Sequence, residues 1–277
     1  MTGFADARTG WTRTAAALAL VGLAGCAGHL ASDANVFTMH REMITIASHP
    51  LHVMLVKPAS PRPSPFLVVF ASGDGGMMGV SKAILRHLGD EGYYVAAYSS
   101  REALARFRGA AGIPDYANVV AAHASMNAQA KRALGLPDPT PMIMAGISRG
   151  ASMVIVTAGD STLRPGIAGA VAIALTRELD YLQVPERAGR SHFIKLDGNR
   201  KVRTYPAIAR LGSVPLAIIQ STNDKYVPSA ESRRLLGPDT PTRRLYEVES
   251  RNHGFGGGQA ELMRDLDDAL TWITTHR

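Results

Sequence analysis

Pro141-Met142-Ile143-Met144-Ala145-Gly146-Ile147-Ser148-Arg149-Gly150 is the stretch that decides how this chain is read. Its first five residues are an apolar run of strand length, and Ala151 to Ala158 (Ala-Ser-Met-Val-Ile-Val-Thr-Ala) reads as the start of a helix. Between them, Gly146 to Gly150 fits G-x-S-x-G. A strand, a sharp turn with glycines two before and two after a serine, and then a helix make the geometry of a nucleophile elbow. The turn is too tight for bulky neighbours, and it lifts the hydroxyl above the sheet edge. The pentapeptide alone recurs by chance in many chains; its place between strand and helix makes Ser148 the candidate nucleophile.

Outward from this point the chain alternates. Met43 to Ala47 and Leu51 to Val56 read as an opening hairpin, and four prolines between Pro58 and Pro65 mark an extended surface connection. Phe66 to Ala71, Tyr93 to Tyr98, Ile167 to Leu175, Val214 to Gln220 and Arg244 to Val248 read as further strands. Helical patterns cover Ser81 to Glu91, Tyr116 to Leu134, Ser229 to Leu236 and Gly258 to His276. Strands alternating with helices at this spacing predict βαβ units: an α/β fold with a mostly parallel central sheet and helices on both faces. Ligands of such sheets bind beyond the carboxyl ends of the strands. Ser148, Asp224 and the glycines around Asp74 all fall just after predicted strands, on the same rim. One segment, 176–212, breaks the alternation and carries eight basic residues against four acidic ones. It reads either as a basic lid or insertion facing the substrate, or as a solvated loop.

A serine hydroxyl is a poor nucleophile at neutral pH and needs a base within hydrogen-bond reach, in most cases a histidine held by a carboxylate. Ser221-Thr222-Asn223-Asp224-Lys225-Tyr226-Val227-Pro228 follows a predicted strand and offers Asp224 as the orienting acid. Arg251-Asn252-His253-Gly254-Phe255 follows the last predicted strand and offers His253 as the base. Of the nine histidines, only this one sits after the final strand in a glycine-rich loop, whereas His87 and His123 fall within helical patterns. An oxyanion hole needs backbone N–H groups aimed at the developing negative oxygen. The N–H of Arg149 supplies one, and Ser72-Gly73-Asp74-Gly75-Gly76 supplies the other through Asp74 or Gly75. That loop lacks the Lys-Ser/Thr ending of a phosphate cradle and the spaced acids of a calcium loop. The Asp74 carboxylate has no part in this scheme; it either braces the loop or meets a cationic group of the substrate. The scheme requires no metal and no organic cofactor.

The order Ser, Asp, His, the strand pattern and the acid loop resemble the α/β-hydrolase superfamily across the chain after its leader. That family often has Gly at the start of the acid loop, where this chain has Ser221. More narrowly, Ser72-Gly73-Asp74-Gly75-Gly76, Gly146-Ile147-Ser148-Arg149-Gly150 and the His253 loop resemble the bacterial VirJ/AcvB virulence-protein family. Met77 stands where that family has Trp, and Ile147-Ser148-Arg149 where it tends to have Tyr-Ser-Phe. The resemblance implies an exported serine hydrolase acting on an ester, with the aminoacyl ester of a membrane phospholipid as one substrate class.

The N-terminus bears on location. Arg8 and Arg13 precede the uncharged run Ala15 to Gly25, too short to span a membrane, which stops at Cys26, the only cysteine. Leu23-Ala24-Gly25-Cys26 resembles a lipobox, so residues 1–25 read as a lipoprotein signal peptide, Cys26 as the lipidated residue and residues 26–40 as a tether. The expected product is lipid-anchored in the bacterial cell envelope, facing the periplasm, with a hydrolase domain over residues 41–277. A single cysteine excludes an intrachain disulfide. The formal charge of +7 suits an anionic lipid surface, and no nucleic-acid-binding motif accompanies it. Three other readings stay open: a peptidase or thioesterase with the same triad, a non-catalytic envelope scaffold that keeps the fold, and an anion-binding protein using the glycine loop.

Overall fold

In this computed structural model, the described residues are 36–46, 49–106, 116–179 and 202–275. The expected signal peptide, Cys26 and residues 180–201 of the basic segment lie outside them. The chain opens on a hairpin of β1 (Phe37–Ile46) and β2 (His49–Pro58). It then runs through β3 (Leu67–Ser72), α1 (Val80–Asp90), β4 (Tyr94–Ser99), α2 (Ser100–Arg106), α3 (Tyr116–Leu134), β5 (Met142–Ile147), α4 (Arg149–Ala158) and β6 (Ile167–Ile173). A short ribbon, β7 (Glu178–Leu179) with β8 (Val202–Arg203), leads to α5 (Thr204–Ala207). The chain closes with β9 (Leu216–Ser221), α6 (Ser229–Leu236), β10 (Arg243–Val248) and α7 (Gln259–Thr275).

Eight strands form one sheet in the order β1-β2-β4-β3-β5-β6-β9-β10. β1 and β2 join antiparallel at one edge, and every pairing from β4 to β10 is parallel. This is the α/β-hydrolase fold. The central strands are buried on both faces, which is why they read as unbroken apolar runs. Val69, Ala71, Met144 and Ile218 face α2, α3 and α4, whereas Val68, Phe70, Ile143 and Ile219 face α1 and α7. From β3 the sheet grows toward β4 on one side and toward β5 on the other. The crevice at that reversal, beyond the strand ends, is where such sheets place their sites. The elbow after β5 and the glycine loop after β3 both open into it.

Three differences from the sequence reading have local causes. β1 starts at Phe37, within the stretch read as tether, because Gly89 of α1 leaves room for the Phe37 ring. A Cβ at Gly89 would stand 2.7 Å from that ring. β6 ends at Ile173 rather than Leu175, because Ala174 turns the chain at φ 50°. Within the basic segment, Leu179, Val202, Tyr205, Ile208 and Leu211 are buried in the core, so its described ends belong to the body of the domain. Among the described residues no helix is long and apolar enough to cross a membrane.

The two helical histidines have structural partners. His123 is buried, accepts the Tyr98 hydroxyl proton at Nε2 and pairs through Nδ1 with the Val119 carbonyl at 2.7 Å; burial lowers its proton affinity. His87 on α1 bonds Asp267 on α7 at 2.8 Å, and this bond raises the imidazole above its ordinary value despite partial burial. A raised folded-state value means that the pair stabilises fully below the unfolded value of about 6.5 and fades as pH rises through the folded one. Asp267→Asn is therefore expected to lower Tm more at pH 5.5 than at pH 8.5. For a half-exposed pair the difference is about 0.5 kcal/mol, roughly 1–2 °C in a domain of this size, read by thermal melts at both pH values.

Candidate active site

Ser148 stands between β5 and α4 at φ 56° and ψ −120°, a left-handed conformation rare for a residue with a side chain. Two glycines make that turn possible. A Cβ at Gly146 would lie 2.5 Å from the Gly150 carbonyl carbon, and one at Gly150 only 2.1 Å from the Ala71 oxygen. The turn is fastened by the Ser148 N–H, which donates to the Ile173 carbonyl of β6 at 2.8 Å. The G-x-S-x-G spacing is thus a steric requirement of packing α4 against the end of β3.

The three residues chosen from the sequence meet. His253 Nε2 lies 2.8 Å from Ser148 Oγ, and His253 Nδ1 lies 2.6 Å from Asp224 Oδ2. Asp224 is buried, and its carboxylate receives four N–H groups. Oδ1 accepts the backbone N–H groups of Tyr226 at 2.8 Å and Val227 at 3.4 Å. Oδ2 accepts His253 Nδ1 and the Gln220 side-chain amide, the latter at 3.0 Å. Only a group that accepts on both oxygens satisfies that ring of donors. The orientation fixes the tautomer: Nδ1 carries hydrogen toward Asp224, leaving Nε2 to take the serine proton.

The loops bearing Asp224 and His253 are laced together. Asn223 Nδ2 donates to the Ser250 carbonyl at 2.7 Å, and Ser250 Oγ donates to Ser221 Oγ at 2.6 Å. Ser221, at the position often held by glycine, thus gains a partner that glycine cannot offer, and its Oγ also accepts the Asn223 N–H at 3.2 Å. Inside the histidine loop, Asn252 Oδ1 accepts the N–H groups of Gly254 at 3.0 Å and Gly256 at 3.1 Å. Phe255, fully buried at φ 57°, pins the loop into the core. The Tyr226 ring meets the His253 ring edge-on, with centroids 4.8 Å apart.

The expected oxyanion donors flank the nucleophile. Arg149 is the first residue of α4, where backbone N–H groups have no acceptor within the helix and the helix dipole favours negative charge. The loop after β3 runs so close that a Cβ at Gly73 would stand 3.1 Å from Ser148 Cβ. Asp74 lines both cavities that Ser148 opens into, and Gly75 lines the one on the His253 side. The Asp74 carboxylate pairs with the Arg149 guanidinium, Oδ1 to Nε 2.9 Å, so of its two sequence readings the structure supports the brace. Asp74 is mostly exposed, so the pair adds about 1 kcal/mol at most; its effect is to tie together the two segments that carry the donors.

An open cavity of about 370 Å³ beside Ser148 is walled by Asp74, Arg149, Thr176, Arg177, Glu178 and Tyr226. Arg177 reaches Glu231 on α6 through two bonds of 3.1 and 2.5 Å and holds that carboxylate below its ordinary range. A smaller cavity of about 220 Å³ lies on the His253 side and includes Gly75, Met78, Val80, Ile147 and Tyr226. Among the described residues, the group nearest to a metal-ligand set is His87, Glu91 and Asp267, with one ligand atom from each within 4.8 Å. It lies at α1 and α7, apart from the triad.

No protein-family model matches the chain, and no curated protein matches it in sequence. Solved structures do match. A Klebsiella pneumoniae protein assigned as a dienelactone hydrolase superposes with TM-score 0.60 at 15% identity, covering 87% of this chain and 99% of its own. An α/β serine hydrolase homologue from Coxiella burnetii gives 0.56 at 16%, covering 83% and 97%. Est1E from Butyrivibrio proteoclasticus gives 0.55 at 14%, covering 84% and 99%. At these identities the likeness establishes the α/β-hydrolase fold.

Proposed function

We propose that this protein is a serine hydrolase that cleaves carboxylic esters through an acyl-enzyme. The observation that carries the reading is the Ser148–His253–Asp224 chain, with bonds of 2.8 and 2.6 Å. Ser148 Oγ attacks the ester carbonyl carbon as His253 Nε2 takes the hydroxyl proton. The carbonyl oxygen becomes an oxyanion facing the N–H groups of Arg149 and the Asp74–Gly75 loop. Its collapse breaks the bond to the alcohol oxygen, which receives the proton from Nε2 and leaves the acyl group on Ser148. Water, deprotonated by the same nitrogen, then releases the acid and restores the serine. Ester chemistry is favoured over other acyl transfers because the structural neighbours include a dienelactone hydrolase and several esterases.

The substrate we propose is an ester presented at a membrane, with an aminoacyl lipid as one form. The Cys26 lipobox, the charge of +7 and the VirJ/AcvB-like motifs support this part. The test compares kcat/KM on soluble short-chain aryl esters with kcat/KM on lipid esters carried in anionic vesicles. The proposal expects the vesicle substrate to be preferred by at least about tenfold, a difference near 1.4 kcal/mol. Faster turnover of soluble esters would sink the lipid substrate and leave the esterase standing.

A further inference from the structure

One fully buried polar side chain of the site is not used by the triad scheme. Gln220, the next-to-last residue of β9, is fully buried, four residues before Asp224. Its side chain makes three hydrogen bonds. Oε1 accepts the Leu175 N–H at 2.9 Å, and Nε2 donates to Asp224 Oδ2 at 3.0 Å and to the Val227 carbonyl at 2.6 Å. The amide's orientation is forced, because Leu175 N–H can only donate and the Val227 carbonyl can only accept. Both Nε2 hydrogens are therefore committed, one of them to the oxygen that holds His253.

Each partner belongs to a different part of the site. Leu175 follows Ala174, whose φ of 50° turns the chain out of β6 toward the cavity wall at Thr176, Arg177 and Glu178. Val227 and the residue before it, Tyr226, are the two whose backbone N–H groups hold Oδ1 of the Asp224 carboxylate. We infer that Gln220 is the positioning residue of the triad: it sets the rotation of the Asp224 carboxylate and, through it, the imidazole of His253. This rests on the triad reading above, since Gln220 touches no reacting atom.

A packing role and a positioning role make different demands on the side chain. Methionine keeps the length of Gln220 and removes every hydrogen bond. Glutamate keeps the shape and the acceptor for Leu175 but presents oxygen where Asp224 and Val227 need a donor. Removing one hydrogen bond to a charged group has an effect of about 10- to 100-fold when it is expressed in the transition state.

The experiment uses the full-length protein and the variants Gln220→Met and Gln220→Glu, with 4-nitrophenyl acetate as substrate, thermal melts for folding, and the downfield proton NMR resonance of His253 Nδ1–H. The expected result is a kcat lower by about 10- to 100-fold in the methionine variant with KM within about twofold, and a larger loss in the glutamate variant. The Nδ1–H resonance is expected to move or broaden in both at temperatures where both are folded. Variants with lowered Tm but unchanged kcat and an unchanged resonance would overturn the proposal and leave Gln220 an architectural residue. The resonance keeps the two readings apart. If it responds as expected in a protein that hydrolyses nothing, the hydrolase reading falls and the positioning of His253 by Gln220 stands.

Discussion

Ser148→Ala is expected to lower ester turnover by about 10⁴- to 10⁶-fold while the fold persists. The hydroxyl is the only group at the elbow able to form the acyl-enzyme, and His253 Nε2 points at it from 2.8 Å. Any residual rate would come from the oxyanion donors and from substrate binding alone. Stability is expected to change little, because alanine meets the same φ of 56° that serine already tolerates and the backbone bond to Ile173 is unaffected. Progress curves with an aryl ester and a thermal melt on the same sample check both halves. Loss of activity together with loss of folding would mean that the elbow depends on the hydroxyl for more than chemistry.

Asp224→Asn is expected to reduce kcat by about 10⁴-fold at nearly constant KM. The carboxylate sits in a ring of four N–H donors, two on each oxygen. Asparagine must turn its own NH₂ toward one of those pairs. Facing Tyr226 and Val227, it opposes two backbone N–H groups that cannot move. Facing Gln220 and His253, it opposes the Gln220 amide, which must draw back, and the imidazole, which relieves its part of the clash by placing its hydrogen on Nε2. That tautomer cannot accept the serine proton. The second outcome requires the smaller rearrangement, so the variant is expected to fold and fail as a catalyst. Steady-state kinetics with circular dichroism as the folding control measure it; activity within tenfold of the parent would argue against a working Asp224.

Much of this site was legible in the sequence, for identifiable reasons. Gly146 and Gly150 are dictated by backbone approaches of 2.5 and 2.1 Å, so the elbow leaves its mark in residue identity. Asp224 and His253 follow β9 and β10 because side chains reach the crevice only from the carboxyl ends of parallel strands. The bracing of the site left weaker marks. Gln220 shows as one polar residue near the end of an apolar strand, which reads as a strand boundary until its partners are known. Asn223 and the Ser221–Ser250 pair act through loop-to-loop bonds across 27 to 29 positions, which no local pattern encodes. β1 runs longer than its sequence pattern predicts, because Phe37 and Met39 face α1 while Ile44 and Ile46 face the opposite layer, so no single alternation runs its length. Asp74 had two readings, and the choice between them needed the position of Arg149.

The most direct test of the central claim is covalent labelling with a fluorophosphonate, followed by intact-mass measurement, on the parent, Ser148→Ala and His253→Ala. A serine activated by a 2.8 Å bond to His253 is expected to take up one label per chain. The alanine variant at Ser148 takes up none, and the one at His253 reacts at least about 10³-fold more slowly. A well-folded parent that stays unlabelled, or that labels equally in all three proteins, would contradict the account.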